Sequence, residues 1–479
     1  MNQYSNNDQW ESLSTKARCQ RIAKVAAHLV DCQDALLDSC TSKQRSSRLQ
    51  TIGAEVLPLC SALRFIGKQG ARILRPTRYG LMGRPAWLWG VHSTVRRDPR
   101  GTVLILGTWN YPLFLTGVQT AQALAAGNRV IIKPAAGSEP TTKLMVEAFY
   151  KAGVPESHLR RLDSSTQAAI DAMDAGVDLI VLTGAAATGR AVLKQAAKSL
   201  TPAIMELSGC DATILMPDCD LDLAVRSIVF ALTMNGGATC IGPRRLVVED
   251  RVADDLLNRL CEALQDHPPL TVHEVARNGA ADVICQAIQQ GASESMGHFE
   301  ESRLRETGWI KPLVLDQVKP NDSIASADIF APVVSLIRVS DINEAVEMVN
   351  QCPYRLAASV FGPTTAATKL AKLLQVGSVA INDLVVPTAD PRLPFGGRGD
   401  SGFGVTRGRE GLLQMTTPKV ISQRRGKFAA HLAFQSESDA QTLIGALQLL
   451  HAGSFSKRIS GLKKMVSSTS KRNSDNVKP

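Results

Sequence analysis

The chain has 479 residues, 44% of them hydrophobic and 20% charged, with a formal net charge of +10. That length exceeds one compact core and calls for two or three sub-domains, while the composition is that of an ordinary soluble globular protein and excludes a largely disordered or membrane-embedded one. The charge makes a weak case for a nucleic-acid-binding body, because residues Arg424 to Pro479 alone hold ten basic against three acidic side chains and the remainder is nearly balanced.

In chain order, the first 15 residues are polar and lack the charged-then-apolar run of a secretory signal. Apolar residues at three- and four-residue spacing predict helices over Ala17 to Leu37 and Leu49 to Phe65. Pro76 to Pro99, broken by glycines and prolines, reads as an extended arm or hairpin. Thr102 to Leu106, Arg129 to Ile132 and Val177 to Leu182 are short apolar runs of the kind that form strands buried on both faces of a parallel sheet. Helices are expected between and after them, at Leu115 to Ala126 and from Gly189, which gives a doubly wound α/β pattern.

A second α/β unit spans about Ala212 to Asp390, with strands expected at Thr213 to Met216, Arg245 to Val248, Val333 to Arg338, Ala358 to Phe361 and Gly377 to Ile381. The Gly-rich segments Pro394 to Gly397 and Ser401 to Gly404 return towards the first unit. Beyond Gly426 one amphipathic stretch, Ala440 to His451, is expected, and the final 20 residues read as unstructured. A solvated basic tail is favoured there over weak contact with a membrane surface. No run of 18 apolar residues predicts a spanning helix. The ten cysteines form neither a CxxC pair nor a Cys/His cluster, so reduced thiols, no metal site and a cytoplasmic setting are expected.

Three residues stand where chemistry could occur. Cys240 lies in the Gly-flanked turn Asn235-Gly-Gly-Ala-Thr-Cys-Ile-Gly, although a cysteine is more often a small core hydrophobe. Glu206 follows apolar residues whose burial would raise its pKa towards that of a general base, or it is simply a surface residue at a strand end. Asn110 follows a buried strand at the edge where ligands bind in open α/β sheets, as an amide donor or as a turn residue.

From Asp98 to Thr417 the windows Trp109-Asn-Tyr-Pro, Ala123 to Pro134, Thr183-Gly184 to Gly189, Glu206-Leu-Ser-Gly, Asn235 to Cys240, Ile329-Phe-Ala-Pro and Pro394-Phe-Gly-Gly resemble, in order and spacing, the aldehyde dehydrogenase superfamily. The short N-terminal region and the Glu206–Cys240 spacing are most similar to its class 3, fatty-aldehyde-type branch. The resemblance implies an NAD(P)-dependent oxidation of an aldehyde to a carboxylic acid, with Cys240 as nucleophile, Asn110 as oxyanion donor and Glu206 as activator of the hydrolytic water. It implies cofactor binding by Lys133, Thr183, Gly184, Gly189, Asp328, Phe330 and Trp109, and a homodimer, or a tetramer, in which an arm extends a neighbour's sheet.

The implied division is N-terminal helices of the cofactor sub-domain at 1–81, an arm at 82–99, a Rossmann-type cofactor sub-domain at 100–205, a catalytic sub-domain at 206–390, a return segment at 391–425 and the basic tail at 426–479. Ala135-Ala136 stands where the family has Ser-Glu, which predicts that NADP is tolerated or preferred. Asp328 replaces a Glu, Ala331 a Gly, Ser208 and Cys210 a Gly and a Lys, and Ala238 a Gln. Trp109, Tyr111, Phe114 and Leu115, near the expected entrance, suggest an apolar or aromatic aldehyde, or are equally well core residues. A coenzyme A-acylating or acyl-reductase enzyme, and a non-catalytic binding protein on the same fold, are the alternatives.

Overall fold

The computed structural model describes residues 9–426, 429, 432 and 437–475. The chain falls into two compact units, Met1–Arg75 with Arg97–Thr417, and Pro76–Arg96 with Pro418–Pro479. The first carries two α/β sheets. One runs in the order Gly402–Phe403, Ala203–Leu207, Leu179–Gly184, Thr102–Leu106, Arg129–Lys133, Leu159–Arg161, all parallel except the antiparallel Gly402–Phe403. Chain order reverses between Thr102–Leu106 and Leu179–Gly184, which opens a crevice at their carboxyl ends.

The other sheet runs Ser293–Glu294, Leu313–Asp316, Val333–Val339, Arg245–Glu249, Ala212–Leu215, Ala357–Phe361, Ser378–Ile381. It too is parallel except for its first strand. In both sheets the central strands are buried almost throughout, as continuous β-branched runs require. Seven of the eight sequence-predicted strands agree with the structure to within one residue at each end, and the eighth, Val177 to Leu182, is shifted by two to Leu179–Gly184.

The N-terminal helices cover one face of the first sheet. Helix Thr15–Asp31 is capped by Ser14, whose Oγ accepts from the Ala17 N–H, and buries Ile22, Val25 and Leu29. The predicted Leu49 to Phe65 helix continues to Ile73 through two wider π-turns. By length and composition Arg48–Ile73 could cross a membrane, but Leu59, Leu63 and Ile66 are packed with Val103, Ile105 and Val130 in the core. Helix Phe114–Ala126 is buried along its entire length. Its first N–H groups are satisfied by a distant carboxylate, since Glu55 Oε2 accepts from Leu113 N and Phe114 N at 3.0 and 2.8 Å.

The second unit holds a three-stranded sheet, Thr77–Tyr79, Val91–Pro99 and Thr416–Arg424 in that order, so the Pro-Gly-rich arm is a hairpin joined by a returning strand. Its C-terminal part corrects one expectation. Of the final 20 residues, read as unstructured, 460–475 belong to the helix Phe455–Asp475, folded back on Glu437–His451, and 476–479 lie outside the described residues. Serine and lysine content signals disorder locally, but the two helices cross at paired glycines, where a Cβ on Gly445 would fall 2.7 Å from Gly461 O.

Candidate active site

A cavity of about 680 Å³ lies in the crevice of the first unit. Parallel register sets Lys133 beside Leu106 and Glu206 beside Thr183 at the carboxyl edge of the sheet. Lys133, Thr183, Gly184, Asp328, Phe330, Trp109, Asn110, Glu206 and Cys240 all line it. Gly189 does not. It sits in helix Ala186–Ala196, where a Cβ would fall 2.8 Å from Leu207 Cδ1, so this glycine lets the helix approach the sheet.

Cys240 is carried on a loop made rigid by unusual backbone. Asn235, Gly236 and Gly237 are in succession left-handed, at φ 54°, 62° and 78°, and a Cβ on Gly237 would fall 2.3 Å from the Ala331 carbonyl carbon. Only glycine fits there. Arg244, buried, donates to Gly237 O, Thr239 O and Ala331 O at 2.7, 3.0 and 3.0 Å, tying the loop to the Phe330 segment. The Cys240 side chain packs against Ile241, Leu356 and Phe395. Burial, then Glu206 and Asp211, pushes its thiol up to about 12, opposed by Arg407 and the Ile241 N–H.

Asn110 is oriented by its own acceptor. Its Oδ1 takes Thr108 Oγ1 at 2.7 Å and Tyr111 N at 3.0 Å, which turns Nδ2 to Ala238 O at 3.1 Å, two residues before Cys240. A primary amide has two N–H groups, so one remains for an oxyanion. Glu206 is not a surface residue: it is 3% exposed, with Oε2 accepting from Thr406 Oγ1 at 3.0 Å and Oε1 without a hydrogen bond. Burial raises its pKa, with Arg407, Thr406 and Gln119 acting in the other direction.

The opposite end of the cavity suits a dinucleotide. Helix Ala186–Ala196 starts at Ala185, immediately after Gly184, and presents its amide N–H groups to the cavity without a side-chain cap. Ile170, Met173 and Val192 form an apolar slot suited to a purine. Asp328 Oδ1 is buried without a partner, a free acceptor of the kind a ribose hydroxyl fills. Trp109 stacks on His273 at 4.2 Å and meets Phe330 at 5.7 Å, forming an aromatic wall between this end and Cys240.

Residues 3–421 match the model of the aldehyde dehydrogenase family. The chain belongs to the aldehyde dehydrogenase family. It is 30% identical over 414 residues to a 4,4'-diapolycopene aldehyde oxidase of Methylomonas sp, covering 85% of this chain and 78% of the relative. It is also 30% identical over 445 residues to the mouse aldehyde dehydrogenase family 3 member A2, covering 88% of each. A Mycobacterium tuberculosis aldehyde dehydrogenase complexed with NAD+ superposes with a TM-score of 0.79 at 26% identity, covering 88% of both chains. The fold is thus that of an aldehyde dehydrogenase, and the enzyme is an NAD(P)-dependent oxidoreductase with relatives in class 3.

In this aldehyde dehydrogenase several site residues carry no local sequence signal. Arg45 and Glu55 form an ion pair at 2.5 Å with both side chains buried, and Arg45 also donates to Asn110 O at 3.2 Å. Arg244 and Arg407 are equally buried. A charged residue followed by ordinary helix or strand looks solvated in sequence, and only the tertiary pairing reveals its place. Arg407 had one available cue, its position three residues after the Gly-rich segment Ser401 to Gly404.

Proposed function

We propose that the enzyme oxidises an apolar aldehyde to its carboxylic acid through a thioester on Cys240, which water activated by Glu206 then hydrolyses. The observation that carries this reading is the convergence of a rigidly held thiol, an oriented amide donor and a buried carboxylate at one end of a dinucleotide-sized cavity. The Cys240 thiol gives up its proton to solvent, and the thiolate sulfur attacks the aldehyde carbon, forming an S–C bond as the carbonyl electrons move to oxygen. Asn110 Nδ2 and the Cys240 backbone N–H hold that oxyanion. A bound nicotinamide supplies the hydride acceptor, and collapse of the oxyanion leaves the thioester. Glu206 then takes a proton from water as it adds to the thioester carbonyl, Asn110 holds the second oxyanion, and the C–S bond breaks to return Cys240.

Lys133 would bind the adenosine ribose, Thr183, Gly184 and the helix start behind them the pyrophosphate, Asp328 the second ribose, and Phe330 with Trp109 the nicotinamide. Asn110→Ala is expected to lower kcat about 10²- to 10³-fold with a small change in KM, the loss of one oxyanion donor. Steady-state kinetics checks this, and a change confined to KM would mean that Asn110 binds substrate without stabilising the transition state.

Hydrolysis is favoured over acyl transfer to coenzyme A by the buried Glu206 carboxylate, which transfer would not require. Acyl-CoA formed on adding coenzyme A would reverse that choice.

Two finer readings belong with this function. Ala136 is exposed and brings no carboxylate to the adenosine ribose, so NADP is expected to be used at least as well as NAD, and Ala136→Glu to cut kcat/KM for NADP about tenfold by like-charge repulsion. Initial rates with both cofactors test it, and strict NAD dependence of the native enzyme would refute it. Ile241, Val385, Leu393 and Phe395 line a smaller cavity of about 80 Å³ beside the nucleophile loop. With the 4,4'-diapolycopene aldehyde in the Methylomonas relative's name, this supports an apolar substrate. Ser378–Ile381 is an edge strand of the catalytic sheet, available to a neighbour's arm, so we also propose a homodimer, which light scattering would detect.

A further inference from the structure

The mechanism above leaves the buried cation of Arg407 unused. Arg407 is 4% exposed. Its guanidinium lies 4.1 Å from the Phe395 ring centroid and 5.4 Å from that of Phe114. One Nη donates to Thr388 O, while Nε has no hydrogen-bond partner. Its backbone is held at φ 60°, ψ 171°, a region that disfavours a residue with a Cβ. A guanidinium stays protonated even when buried, so the fold bears the cost of an enclosed charge on strained backbone.

Geometry ties that charge to both reacting groups, because Phe395, on which the guanidinium rests, packs with Cys240. Thr406, the adjacent residue, donates to Glu206 Oε2, and the charged groups acting on Arg407 are Glu206 and Cys240. The titratable groups facing Cys240 are Glu206, Asp211, Tyr111, Arg244 and Arg407. Arg244 spends its Nη donors on three carbonyls of the nucleophile loop and the Phe330 segment. Around Glu206, Arg407 is the charged group, with neutral Thr406 and Gln119 beside it.

We propose that Arg407 is a positioning residue for charge, the fixed cation that lets the Cys240 thiolate and the Glu206 carboxylate exist together in one enclosed chamber. Two anions there without it would carry uncompensated repulsion in addition to their desolvation, and one of them would stay protonated. The inference rests on the assignment of Cys240 as nucleophile and Glu206 as base. It gives the aromatic pair Phe114 and Phe395 a second task, since cation–π contact holds the guanidinium without neutralising it.

The test is the rate of Cys240 alkylation by iodoacetamide against pH in the full chain, without aldehyde or cofactor, followed by peptide mass mapping because nine other thiols are present. Only thiolate reacts, so below the thiol midpoint the rate follows its fraction. Arg407→Gln is expected to slow Cys240 alkylation at pH 8 about tenfold, the equivalent of one pH unit. Arg407→Lys, which keeps charge and loses the planar stack, is expected to stay within about twofold of the native rate.

A folded Arg407→Gln protein that alkylates at the native rate overturns the proposal. So does an Arg407→Lys protein slowed as far as the glutamine variant, because shape would then be what matters. If the glutamine variant does not fold, the lysine variant decides against the native rate: within about twofold supports the proposal, and about tenfold slower overturns it. Turnover by Cys240→Ala would instead refute the nucleophile assignment, a separate outcome from either of these.

Discussion

Cys240→Ala is expected to produce no NAD(P)H with any aldehyde, a loss of roughly a thousandfold or more in kcat, while cofactor binding and thermal stability stay close to native. The argument is geometric. The alanine removes one sulfur from a side chain packed beside Ile241 and Phe395, and the loop beneath it is held by the left-handed Asn235–Gly237 backbone and by Arg244, not by the thiol. What disappears is the atom that becomes bonded to substrate, and nothing else in the chamber can replace it as a soft nucleophile. Asn110 and Glu206 would still be in place, so the residual rate would measure oxyanion stabilisation and proximity alone. Cofactor absorbance on mixing with aldehyde reads this directly. Turnover within tenfold of native would show that the hydride leaves without a covalent intermediate on Cys240.

Glu206→Gln separates the two halves of the reaction. The amide has the size of the carboxylate and can still accept from Thr406 Oγ1, yet it cannot take a proton from water. Kcat is expected to fall about 10²- to 10⁴-fold, the usual worth of a positioned base, while the first turnover survives as a burst of about one reduced cofactor per subunit. The pH dependence follows from burial. Glu206 is raised above the ordinary carboxylate range because its charged form is desolvated, so at pH below that raised value it is protonated and the thioester persists. Steady-state turnover therefore rises with pH as Glu206 ionises, and this limb is expected to vanish in the glutamine variant. A variant that retained both kcat and the limb would assign water activation to another group.

Much of this site could be read from the chain before any coordinates, and the reasons are specific. Thr102–Leu106 and Arg129–Lys133 are buried on both faces, so their apolar runs are continuous and their ends are sharp. Asn110 was placed by the rule that ligands gather where such strands end. Glu206 was harder: its burial depends on Gly402–Phe403 adding an antiparallel strand beside it, a pairing no local window contains.

Gly189 lies off the cavity lining for a related reason. A glycine at a strand–helix turn suggests approach of a phosphate, but here its missing Cβ makes room for Leu207. Arg45, Glu55, Arg244 and Arg407 were invisible because a buried charge is defined by partners that are distant in sequence or are carbonyls and rings. The helix Phe455–Asp475 was missed because its polar composition masks a glycine crossing.

The central claim is that the acyl group passes through Cys240 and is released by Glu206. It is tested most directly by intact mass and peptide mapping of Glu206→Gln after mixing with NAD(P) and an aldehyde under denaturing quench. The account predicts a mass increase equal to the aldehyde less one hydride and one proton, located on the peptide bearing Cys240. Reduced cofactor accumulating while Cys240 remains unmodified would contradict it.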